Sequence, residues 1–157
     1  MGFFCIYNIS SMRFESIMGI SDEFRKFKAS LKNVNWSVSA INEKNELVVS
    51  LWGHRPLLKF DKDKRIQIYT DKITRWSGHG KNEFRKNLDN ALKESLTVRA
   101  VLVKLKNVDD FSKILAGEDA SYFAKNFTAK DGWIGKITLW DGENFTIEFE
   151  EDTNKFK

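Results

Sequence analysis

The run Thr97-Val98-Arg99-Ala100-Val101-Leu102-Val103-Lys104 constrains this chain more than any other stretch, because it is nearly continuous in apolar and β-branched residues. A half-buried strand alternates apolar and polar side chains, whereas an unbroken run marks a strand buried on both faces. Residues 97–104 are therefore expected in the middle of a sheet, and the rest of the chain is read for what surrounds them.

Period-two patterns supply the neighbours. Trp36, Val38 and Ala40, a turn at Asn42-Glu43-Lys44-Asn45, then Leu47, Val49 and Leu51 predict a hairpin. Leu57 to Phe60, a turn at Asp61 to Lys64, and Ile66, Ile68 and Thr70 predict two more strands, giving a three- or four-stranded antiparallel meander. Pro56 cannot donate a ladder bond, so the 56–60 strand is expected to start there or to sit at an edge. Ile134 to Trp140 and Phe145 to Phe149 flank Asp141-Gly142, whose residues supply the positive φ angles of a tight hairpin turn.

Helical spacing appears twice. Ser21-Asp22-Glu23 before Phe24, Phe27 and Leu31 predicts a helix near 21–32 with Arg25, Lys26, Lys28 and Lys32 outside. Phe84, Leu88, Ala91 and Leu92 predict a second near 82–94, capped by Asn82 or Ser77. Shorter helical turns are expected from Val108 to Leu115 and from Ala120 to Lys125. The fold class is α+β: an antiparallel sheet, meander plus C-terminal hairpin, packed by two or three helices.

A length of 157 residues suits a single domain spanning 1–157, with 151–157 as a frayed tail. Met12 and Met18 beside Met1 leave several possible starts, so residues 1–11 can be an extension. One cysteine, Cys5, allows no internal disulfide, and no run reaches the roughly 18 apolar residues of a membrane span. The expected setting is cytoplasmic, with no membrane partner. The oligomeric state is open.

Charge divides along the chain. Residues 1–107 carry 20 Lys and Arg against 11 Asp and Glu, and residues 108–157 carry 6 against 11. A surface for a polyanion belongs on the first two thirds, unless these cations only solvate their own faces.

The stretch Arg75-Trp76-Ser77-Gly78-His79-Gly80-Lys81 carries the densest chemistry. Glycines let a backbone approach a ligand, a helix start offers N–H groups, and Arg75, Lys81 and His79 add charged donors. It is not a P-loop, since Asn82 follows Gly80-Lys81 and Arg75 stands where the first glycine belongs. The expected reading is an anion cradle. Against it stands a structural role, with Trp76 plugging the core and the glycines turning the chain. Trp52 and Trp76 each lie near glycine, histidine and arginine at an element end, which suits them to stack bases if the fold brings them together.

No catalytic motif is complete, and no cofactor or metal is implied. His79 is the residue to act if the protein is an enzyme; His54 is a weaker candidate. Asp61-Lys62-Asp63-Lys64 and Glu148-Phe149-Glu150 hold nuclease-like residue types but read as a solvated turn and a soluble strand face.

The order of a helix, a Trp-containing strand, Leu47-Val48-Val49-Ser50-Leu51-Trp52, a loop, an amphipathic helix and Val98-Arg99-Ala100-Val101 resembles the small N-terminal modules that precede HNH nuclease domains in bacterial restriction-type proteins. The resemblance covers about residues 20–105 and includes no nuclease segment. It implies a DNA-sensing module of restriction or defence, without cleavage. The expected function is nucleic-acid binding, DNA before RNA, with Arg75, Lys81, Arg85 and Lys86 on phosphates, His79 and the amides of Ser77, Gly78 and Gly80 completing the cradle, and Trp52 or Trp76 stacking a base. Two alternatives stay open: an enzyme or binder for a nucleotide or other phosphorylated small molecule, and an inhibitor or accessory domain with an acidic protein partner.

Overall fold

The computed structural model describes residues 19–152. In chain order these form helix α1 (19–25), strands β1 (Ser39–Ile41), β2 (Leu47–Trp52), β3 (Leu58–Asp61) and β4 (Ile66–Lys72), helix α2 (Gly78–Lys93), strand β5 (Val98–Leu105), helix α3 (Phe111–Leu115), and strands β6 (Lys125–Ala129), β7 (Trp133–Trp140) and β8 (Asn144–Glu151). The fold is α+β, with three helices on one eight-stranded, mostly antiparallel sheet that does not close into a barrel. The possible extension at 1–11, and the tail beyond Asp152, lie outside the described residues.

β5 takes the central place its composition demands. One edge runs parallel to β2, and the other pairs antiparallel with β6 and β7 in succession. Val98, Ala100 and Leu102 face α2, while Val101 faces α1. β2 is likewise buried at all six positions, its Leu47, Val49 and Leu51 in the α2 core and its Val48 under Phe24 and Ile20.

The four strands expected as one meander separate instead into two hairpins at opposite ends of the order β1-β2-β5-β7-β8-β4-β3. This has a geometric consequence. β2 and β3 lie five strand spacings apart, about 24 Å in a flat sheet. The link from Trp52 to Leu58 spans at most about 22 Å when fully stretched, and it is not stretched, because the Leu58 N–H returns to the His54 carbonyl at 3.0 Å. The sheet therefore curls. Breaks in the ladder permit it: Lys130 to Gly132 interrupt what would be one strand between β6 and β7, and the β7–β8 register shifts between Ile137 and Leu139.

Inside the curl lie Tyr69, Phe145, Ile147 and Phe149, covered by Phe84, Leu88 and Ala91 of α2. Tyr69 and Asp71, not Ile66, Ile68 and Thr70, are the buried alternating set of β4. A buried carboxylate needs partners, and Asp71 has three: Oδ2 accepts from Tyr69 Oη at 2.7 Å, Arg75 Nε lies 2.7 and 2.9 Å from its two oxygens, and the Lys72 N–H donates at 2.8 Å. The Trp52 backbone amide meets the same Tyr69 hydroxyl, so this network joins the ends of β2 and β4. Burial, then the Asp71 charge, holds the Tyr69 phenol well above its ordinary pKa.

α1 ends earlier than the helix expected over 21–32. Lys28 adopts φ 58° and the Ala29 N–H turns back to the Phe24 carbonyl at 3.2 Å, which ends the helix while keeping Phe24 and Phe27 buried. α2 is longer than expected, and Lys125–Ala129, expected in part as a helical turn, is an added strand on β5.

Removing Asp71 strands a guanidinium and a phenol inside the curl. Asp71→Ala is expected to lower unfolding free energy by about 3–5 kcal/mol in urea denaturation, and Tyr69→Phe by about 1–3 kcal/mol. An unchanged midpoint for Asp71→Ala would contradict a structural role for the network.

Candidate nucleic-acid interface

Residues 75–86 do not form a loop followed by a helix. A single 3-10 turn, Ile73–Arg75, is followed by Trp76 and Ser77, and α2 begins at Gly78. Gly78, His79, Gly80 and Lys81 thus form the first helical turn.

Gly78 has φ 59° with open space around its Cα, and it alone of the pair turns the chain. Gly80 is buried for another reason: a Cβ there would strike the Trp36 carbonyl oxygen, so the missing side chain lets α2 settle on the segment before β1. The His79 ring lies 5.4 Å from that of Trp36 and remains exposed.

The expected site residues divide into two groups. Arg75 and Trp76 are held by the core: Arg75 by the buried Asp71, and Trp76, half-buried, edge-on to Phe84 at 5.0 Å and 5.9 Å from Phe145. Trp76 is the structural plug weighed as the alternative. Trp52 is corrected as a stacking platform, since it is only 7% exposed and packs on Phe111 at 5.4 Å. Its ring is spent on the core, so the expected two-tryptophan pocket has no free Trp52 face. Ser77, Gly78, His79, Arg85 and Lys86 are exposed and Lys81 half-buried.

Arg85 and Lys86 point away from the buried Gly80, Phe84, Leu88 and Ala91, Lys93 continues that side about 10 Å beyond Lys86, and Lys81, seven residues before Leu88, flanks the buried stripe. None of Lys81, Arg85, Lys86 and Lys93 enters an ion pair among the described residues. The exposed acid of the same side, Asp89, accepts the Trp140 indole N–H at 2.6 Å. The helix start carries no acidic residue, and Ser77 at the N-cap gives it no side-chain hydrogen bond, so the first-turn amides keep their positive end. On α1, by contrast, Arg25 and Lys26 are paired with Asp22 and Glu23. The basic two thirds of the chain is thus not one surface, because α1 and α2 cover opposite faces of the sheet.

The remaining candidates are elsewhere. Asp61 Oδ1 caps its own turn through the Asp63 and Lys64 N–H groups at 3.0 and 3.1 Å, and Glu148 lies across the ladder from Lys136. Among the described residues no group of three His, Cys, Asp or Glu is placed to hold a metal, and no helix is long and apolar enough to cross a membrane. His54 is buried in the β2–β3 link, where its Nε2 accepts the Leu105 N–H at 3.0 Å and its ring stacks on Phe111 at 4.2 Å. Burial, helped by the Lys104 charge, pulls its pKa below the ordinary value.

The chain matches no known protein-family model, no curated protein and no solved structure.

Two outcomes follow from this geometry. Gly80→Ala, which drives a methyl group into a backbone carbonyl, is expected to cost about 1–3 kcal/mol of stability in thermal or urea unfolding, and a neutral effect would contradict the close approach of Trp36. His54 binds a proton more readily unfolded than folded, so its contribution is intact above its ordinary pKa of 6.5 and is lost as pH falls below it. His54→Gln, which keeps an acceptor for the Leu105 N–H, is expected to flatten the acid side of the stability curve; an unaltered slope would remove His54 as its source.

Proposed function

We propose that the solvent side of α2 binds the phosphate backbone of nucleic acid, DNA in the first instance. The observation that carries this reading is a single helix bearing four cations without ion-pair partners, Lys81, Arg85, Lys86 and Lys93, next to an acid-free helix start. Phosphates are positioned by such side chains and by helix N-termini, and each neutralised phosphate releases counterions. His79 and the amides of the first turn add donors. The same surface has no fully exposed tryptophan, so base stacking is not part of the reading; affinity comes from the backbone and is strongly salt-dependent.

The resemblance to modules that precede HNH nucleases supports DNA as the polymer and a sensing role in restriction or defence. No catalytic step is proposed.

Fluorescence anisotropy with labelled single- and double-stranded oligonucleotides at a series of salt concentrations tests this. Arg85→Ala with Lys86→Ala is expected to reduce the slope of log K against log salt by about two units. Arg25→Ala with Lys26→Ala, on the opposite face, leaves it unchanged, and Arg75→Ala acts on stability rather than on the slope. Binding that survives the α2 double substitution, or no binding at any salt, overturns the reading and turns attention to an acidic protein partner.

A further inference from the structure

A groove of about 560 Å³ opens where the parallel strands β2 and β5 end side by side. In open α/β sheets ligands bind outside the carboxyl ends of the strands, and β2 and β5 form a parallel pair within this mostly antiparallel sheet; the groove's volume lies within the about 300–1,000 Å³ usual for small-molecule sites. The groove is remote in sequence from the α2 stripe, and its side chains are differently organised.

Its floor is fixed by His54 and Phe111. Because Nε2 of His54 accepts an amide N–H, it carries no proton, and the neutral ring holds its proton on Nδ1 as a donor. No acceptor among the described residues is hydrogen-bonded to that Nδ1. The stack on Phe111, itself 5.4 Å from Trp52, prevents the ring from turning. Lys104 is positioned by a glycine: a Cβ on Gly53 would come within 3.0 Å of its Cε and 3.1 Å of its Cγ, so its stem lies over the bare backbone. Neither Lys104 nor Arg55 enters an ion pair among the described residues. Asp109 puts one negative charge against these two positive ones. Val108, 63% exposed, and Leu115, 40% exposed, supply an apolar lip that no described side chain covers.

We propose that this groove binds a small organic anion with an apolar body, its charged end held by Lys104, Arg55 and the His54 Nδ1–H and its body against Val108 and Leu115. A carboxylate and a phosphate monoester share this chemistry, and the polyanion of the α2 surface does not, since the groove has room for one small molecule.

The test is an amide chemical-shift titration of the full, isotope-labelled chain with benzoate, phenyl phosphate, benzyl alcohol and inorganic phosphate. Saturable shifts at Gly53, Leu105 and Ser112 are expected with both aryl anions, in the millimolar range that about ten heavy atoms allow. Lys104→Met keeps the stem and removes the charge, and is expected to weaken binding about tenfold; the spectrum of each variant reports that it is folded. Arg85→Ala with Lys86→Ala leaves this binding at the wild-type value. The ratio of benzoate to phenyl phosphate affinity separates carboxylate from phosphate ester. Absence of saturable shifts with both aryl anions overturns the proposal. So does equal binding of inorganic phosphate or benzyl alcohol, which would mean that the body or the charge is not recognised.

Discussion

Five residues, Gly53 to Leu57, tie together strands that lie at positions two and seven of the sheet, and most of the architecture depends on that tether. A flat sheet cannot satisfy it. Once the sheet is curled, the inward side chains of β4 come near the end of β2, and a tyrosine and an aspartate occupy a place where a larger sheet would hold only hydrocarbon. The Asp71 network is tolerable there because each partner is in contact: two donors on side chains, one on the backbone. His54 does the corresponding task at the mouth, satisfying an amide at the end of β5 from within the tether itself.

What could be read from the sequence is what is local. β5 declares itself by an unbroken apolar run, and the β7–β8 hairpin by Asp141-Gly142 between alternating segments. α3 and the turns around it were also visible; for the strand after Pro56 a start at the proline or an edge position was legible, and it takes the edge. The pairings β2 with β5 and β4 with β8 were not, because they join residues about fifty to eighty positions apart and leave no mark in either partner alone. β6 escaped because Lys125-Asn126-Phe127-Thr128-Ala129 has a single large apolar residue; it is a strand by virtue of its neighbour.

The site shows the same division. Cations on a helix face are legible, since helical period alone separates Arg85 and Lys86 from Phe84 and Leu88. Arg75 was misread through the phase of β4. Taking Ile66, Ile68 and Thr70 as the alternating set points Asp71 outward, and only the inverse phase reveals a buried acid that claims Arg75. Gly80 misled in the same way, as its small size answers a contact with Trp36, forty-four residues earlier, and not a turn. His54 offered one signal, a histidine and arginine beside glycine at a strand end. Most of the groove residues that give it meaning come from β5, which supplies Lys104, and from the segment after it.

The sheet order also governs when the molecule can acquire its shape. β4 waits for β8, whose Phe149 pairs with Gln67, and β5 has no neighbour on its second edge until β6 and β7 exist. A chain emerging from the ribosome therefore holds two hairpins and a central strand matched on one edge alone until β6, β7 and β8 are made, and the β7–β8 hairpin acts as the keystone. Loss of β8 would not merely shorten the sheet; it would leave β4 and β7 as open edges and expose the aromatic interior that Phe145 and Phe149 fill.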